Sequence, residues 1–186
     1  YFNVFEKYSE AELSEITEYA KSIHFQFASY MSASKFYKDY ALKTNDKTKF
    51  LEDYNQHVAI VALYLANGNV KQAKQFISAM VEQRYQPATP TFLNAGRARR
   101  GELVSCFLLE IDDSLNSINF IDSTAKQLSK IGGGVAINLS KLRARGEAIK
   151  GIKGVAKGVL PVAKALEGGF SYADQLGQRP GAGAVY

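Results

Sequence analysis

Leu103-Val104-Ser105-Cys106-Phe107-Leu108-Leu109-Glu110-Ile111 and, further on, Gly132-Gly133-Gly134-Val135-Ala136-Ile137-Asn138-Leu139 decide the fold. Leu103 to Ile111 reads as a buried strand, and Val135 to Leu139, after the three glycines, as a second, short one. Between them, Asp112-Asp113-Ser114 supplies a turn and a helix cap. Leu115 to Ile131 then carries Ile118, Ile121, Ala125 and Leu128 at helical spacing. The order strand, helix, strand implies a βα-type layer. A basic loop around Arg143-Ala144-Arg145-Gly146 follows. A Gly/Lys/Ala-rich stretch after Gly151 leads into a helix with Pro161 near its start, and then come a Gly/Pro loop and an extended run ending Gly183-Ala184-Val185-Tyr186.

Upstream the pattern changes to helices. Ser9 and Glu12 form a capping box, and Leu13, Ile16, Ala20, Ile23 and Phe27 recur at three- and four-residue spacing, which predicts a helix from Ser9 to about Tyr30. A second helix is expected over roughly Lys49 to Ala66, ended by Asn67-Gly68, and a third over roughly Val70 to Gln83, capped by Asn69. Pro87 and Pro90 then bias their preceding residues away from the helix. We therefore expect a helical domain over 1–86 and an α/β region over 87–186. His24 and His57 lie on the helices without a second ligand at i+4, so they read as structural or surface histidines, and no metal is predicted.

With 186 residues, 22% charged and 46% hydrophobic, the composition is that of an ordinary globular protein. No apolar stretch approaches the length of a membrane span, and no signal peptide is seen, so no membrane association is expected. The net charge of +5 comes from scattered lysines, which argues for small anionic ligands rather than nucleic acid. A single cysteine excludes an internal disulfide, and a reducing cytoplasm is the expected compartment. The chain opens on Tyr1 and stops on an extended run, which reads as a piece of a longer protein.

Four features could carry chemistry. Cys106 is either a small packed hydrophobe or a reactive thiol. Gly132-Gly133-Gly134 matches neither the dinucleotide fingerprint nor the phosphate-loop motif; it is either a plain turn or a place where a ligand approaches the backbone. Arg143, Arg145, Lys150 and Lys153 form either a solvated loop or a polyphosphate contact, and Asp113 and Ser114 either cap the helix or touch a ligand.

Four blocks resemble the large subunit of class I ribonucleoside-diphosphate reductase, most closely the bacterial class Ib form: ATPTFLNAG (Ala88 to Gly96), RRGELVSCFLLEIDDSLNSI (Arg99 to Ile118), SKIGGGVAINLSKLRARGEAIKG (Ser129 to Gly151) and FSYADQLGQRPGAGAVY (Phe170 to Tyr186). The resemblance implies a helical domain followed by the first part of a ten-stranded α/β barrel. It further implies that Cys106 is one of two thiols that reduce the ribose and end as a disulfide, which requires a partner Cα at about 4.4–6.8 Å. Thr89, Ser105, Cys106 and Gly134 match substrate contacts. Asp113, Ser114, Arg143 and, with weaker geometry, Lys150 match contacts to a deoxynucleoside triphosphate or ATP effector at a subunit dimer interface. Gln175 and Arg179 match the second specificity loop, which couples effector to substrate base.

The same resemblance implies a homodimer of large subunits and a redoxin-type reductant. It also implies a separate small subunit whose dimetal-tyrosyl centre supplies the radical; the large subunit itself holds no covalent cofactor. The second redox cysteine, the radical cysteine and the C-terminal thiols of the family have no counterpart here, so these 186 residues alone are expected to be inactive. Two other readings are a nucleotide-binding regulatory module in which Cys106 merely packs, and a helical scaffold, which accounts only for residues 1–85.

Overall fold

The computed structural model describes residues 4–98, 102–173 and 181–186. It divides into two compact units, Tyr1–Arg100 and Gly101–Tyr186.

In the first unit α1 (Glu10–Ser22) starts at the expected capping box, in which Ser9 N donates to Glu12 Oε2 (2.8 Å) and Glu12 N to Ser9 Oγ (3.3 Å). It stops at Ser22 rather than near Tyr30. Ile23 is extended, and Phe25 and Phe27 leave the helix to pack on Tyr54, the Phe25 ring stacked on Tyr54 with centroids 3.8 Å apart. Asn55 Nδ2 donates to the carbonyls of Ala20 (2.6 Å) and Ile23 (2.9 Å), so a tertiary contact satisfies the helix end that the pattern carried too far. A short α2 (Tyr30–Lys35) and a π-helical turn, Phe36–Tyr40, follow.

Helix α3 (Tyr54–Ala66) begins later than Lys49 because Asp53 and Gln56 form its capping box, and it ends as expected at left-handed Asn67. It is the centre of the unit, with Val58, Val61, Ala62 and Leu63 nearly inaccessible. Helix α4 (Val70–Val81), capped by Asn69, packs Ala73, Ile77 and Met80 inward. The Thr-Pro segment forms a further helix, α5 (Thr89–Asn94). Pro90 falls in its first turn, where the missing N–H breaks no helical bond. The structure therefore groups Thr89 with the helices, whereas the sequence reading put the division at residue 87.

The second unit runs β1 (Cys106–Glu110), α6 (Leu115–Lys130), β2 (Gly134–Asn138), α7 (Val159–Tyr172), β3 (Ala182–Val185). The strands are parallel in the order β1-β2-β3, which makes the expected βα-type layer a parallel one. Phe107 and Leu109 of β1 and Val135 and Ile137 of β2 face the helices, around a core that includes Ile111, Ile121, Ala125 and Leu166. The alternate residues form the other face, on which Leu108 is 76% exposed. Gly133 is required for packing: a Cβ there would come within 2.6 Å of the Phe107 ring.

Candidate functional site

Both strand ends of the sheet carry predicted site residues. Cys106 is the first residue of β1, and its register partner on β2 is Gly134. Partners in a parallel ladder point to the same face, so the position beside the thiol on β2 carries no side chain. Cys106 is exposed in this chain. Ser105 precedes it, with Oγ 3.8 Å from Cys106 Sγ. Gly134 N donates to Ser105 O (2.6 Å), and a Cβ on Gly134 would stand 3.3 Å from that oxygen, so the glycine also sets the spacing of the two chains. Ser105, Cys106 and Gly134 are thus one cluster.

At the opposite end of this five-residue strand, about 13 Å along at ordinary strand rise, lie Asp112, Asp113 and Ser114. Ser114 Oγ accepts from Ser117 N (3.2 Å) and caps α6, so the capping role is occupied. Asp113 Oδ2 accepts from Arg143 Nε at 2.6 Å, and Arg143 Nη1 donates to Ala148 O at 2.7 Å. Two residues matched to the effector therefore hold each other across the ends of β1 and β2. Lys141, which sequence reasoning passed over, bridges Glu110 (2.9 Å) and Asp112 (3.0 Å). The hydrogen bond to Glu110 first, then that to Asp112, raises the Lys141 pKa.

The basic loop after Arg143 is folded rather than open. Gly146 N donates to Ala156 O (2.9 Å), Gly154 N to Gly146 O (3.0 Å), and Ile149 and Ile152 pair as a small hairpin. Lys150 and Gly151 both have positive φ, 50° and 82°, the mark of a type I′ turn, which places exposed Lys150 at the tip. Gln175 and Arg179 lie outside the described residues.

Thr89 belongs to the helical unit, where it is exposed and its Oγ1 lies 3.4 Å from Tyr40 Oη. Behind this pair is a buried charged group that sequence patterns did not reveal. Glu52 Oε1 accepts from Leu42 N (2.7 Å) and from Arg97 Nη2 (3.2 Å), and lies 2.7 Å from His57 Nδ1. His57 Nε2 donates to Phe92 O at 2.7 Å. His57 is therefore a hydrogen-bonded histidine of the interior.

These two units are an all-helical module and a parallel α/β layer with an exposed thiol at its first strand. Known proteins give that class a name. The family model "Ribonucleotide reductase, all-alpha domain" matches residues 26–100, and "Ribonucleotide reductase, barrel domain" matches residues 104–186. The chain is 58% identical over 179 residues to the ribonucleoside-diphosphate reductase subunit alpha of Bacillus subtilis, covering 96% of this chain and 26% of that protein. It is 50% identical over 184 residues to the corresponding subunit of Mycoplasma pneumoniae, covering 99% and 26%. Against the large subunit of the Vaccinia virus reductase it is 29% identical over 187 residues, covering 99% and 23%. The chain belongs to the ribonucleotide reductase large-subunit family, and spans about a quarter of the length of these relatives. Among the described residues no helix is long and apolar enough to cross a membrane.

Proposed function

We propose that this chain is part of the catalytic subunit of a ribonucleoside-diphosphate reductase, of the bacterial class Ib kind, that makes 2′-deoxyribonucleoside diphosphates for DNA synthesis in the cytoplasm. The observation that carries the reading is the exposed Cys106 beside the bare Gly134 position, in a chain 58% identical to such a subunit. Cys106 is one of two thiols. The ribose 2′-hydroxyl leaves as water, the two thiols give up two hydrogens, and the sulfurs join as a disulfide that a redoxin-type protein reduces. The second thiol and the radical-forming cysteine come from elsewhere in the parent, since this chain has one cysteine; alone it does not turn over. The radical originates on a partner small subunit.

Thr89, Ser105, Cys106 and Gly134 contact the diphosphate substrate. Asp113, Ser114, Arg143 and Lys150 receive the triphosphate effector at the dimer interface, and the 175–180 segment with Gln175 and Arg179 relays its identity. The Arg143–Asp113 pair supports this assignment: an incoming phosphate can take over a guanidinium already held at the strand ends.

Cys106→Ser in the full-length subunit tests the reading. It should abolish multiple turnover with a thiol reductant while substrate and effector still bind, because the hydroxyl keeps the shape and cannot form a disulfide. Undiminished turnover would exclude Cys106 from the redox pair.

A further inference from the structure

The helical unit holds a second feature that the reductase reading does not use. Tyr40, the last residue of the π-helical turn, stands with its hydroxyl 3.4 Å from Thr89 Oγ1. Its position is fixed from behind. Arg97 Nη2 donates to the Tyr40 carbonyl, and that guanidinium is itself held against buried Glu52. The Tyr40 ring packs on Phe92 with centroids 5.5 Å apart, and the Phe92 carbonyl accepts from His57 Nε2 at 2.7 Å. Glu52 and Leu42 N close the circuit at 2.7 Å. Four separate segments thus converge on one phenol and one threonine.

From this geometry we infer that Tyr40 is a positioning residue for the nucleotide substrate, acting through Thr89; the inference rests on Thr89 being a substrate contact. A threonine hydroxyl has one proton and two lone pairs. When the phenol donates to Thr89 Oγ1, the threonine proton is left to donate outward, which is the polarity an anionic phosphate oxygen needs. In a chain of two hydroxyls each bond polarises the next, so the outward bond is strengthened. Without the phenol, the threonine hydroxyl rotates freely and pays for its alignment when the substrate binds. The Glu52–His57–Arg97 group acts one step further back, by holding Tyr40 and Phe92.

Steady-state kinetics of the full-length subunit with its small subunit test this, using Tyr40→Phe, Thr89→Val and the double variant with cytidine diphosphate. Tyr40→Phe should raise KM about three- to ten-fold, the scale of one net hydrogen bond, with kcat within about two-fold. The melting temperature should be unchanged. In the Thr89→Val background the Tyr40 substitution should add nothing. Unchanged KM for Tyr40→Phe beside a raised KM for Thr89→Val overturns the role of Tyr40 and leaves the substrate reading standing. Unchanged KM for Thr89→Val overturns the substrate reading itself. Full additivity in the double variant overturns the inference too, because it shows Tyr40 working independently of Thr89.

Discussion

The two units handle polar chemistry in opposite ways. The helical unit buries Glu52, His57 and Arg97 together: the carboxylate accepts from the Leu42 N–H and the Arg97 guanidinium and lies 2.7 Å from His57 Nδ1. The strand unit buries an almost entirely apolar core on one face of its sheet and leaves the alternate face open, with Cys106, Leu108 and Glu110 exposed. In the first unit a charged cluster serves as internal scaffolding for a surface pair of hydroxyls. In the second, a period of two separates a packed face from an open one: odd-numbered residues of β1 hold the sheet to its helices, and even-numbered residues, Cys106 among them, are exposed.

The largest effect should come from the buried cluster. Glu52→Gln keeps the shape but leaves the Arg97 guanidinium and His57 facing a neutral amide in the interior, and should cost about 3–5 kcal/mol in urea denaturation. A loss below about 1 kcal/mol, the scale of an exposed pair, would show that the cluster is not the scaffold described. Next comes the sheet. Ile137→Ala, on the helix-facing side of β2, removes a fully buried side chain and should cost about 2–5 kcal/mol. Leu108→Ala, on the open face of β1, should cost less than about 0.5 kcal/mol by the same measurement. Equal losses at the two positions would break the division of the sheet into a packed and an open face.

The order of strands and helices was legible in the sequence; the division of β1 into a packed and an open face, and the buried cluster, were not. The apolar runs around Cys106 and Val135 and the helix between them gave the βα-type layer, but a continuous apolar run reads as a wholly buried strand and does not report which face stays open. The caps at Ser9, Asp53, Asn69 and Ser114 are local too; Ser9, Asn69 and Ser114 were read correctly, whereas Asp53 was overlooked and α3 was begun early. Local patterns failed where distant residues decided the outcome. Phe25 and Phe27 fit a helical spacing, yet stacking on Tyr54 draws them into an extended path. Pro90 signalled a break but sits in the one turn where a helix tolerates it. Glu52 and Arg97 meet across 45 positions, and no spacing rule joins them. In the candidate site, resemblance to a family named the residues, while the structure supplied what they touch: Gly134 beside the thiol, and Arg143 on Asp113.

The smallest effect sharpens the same contrast on the exposed side. Lys141 holds Glu110 and Asp112 together at the end of β1, on the exposed surface, and its pKa is raised chiefly by the Glu110 hydrogen bond and then by Asp112. A raised lysine pKa in the folded state means that the protonated form is bound more tightly there than in the unfolded chain. The contribution is therefore fully present below the unfolded-state pKa, about 10.4 for a free lysine, and disappears as pH rises through the folded-state value. The melting-temperature gap between the wild type and Lys141→Met should accordingly be small and constant through neutral pH, and close at strongly alkaline pH. High salt should close it as well, since exposed pairs are screened. A gap that persists under both conditions would mean that the lysine stem supports the strand end by packing. That outcome would move this corner of the sheet toward the behaviour of the buried helical cluster.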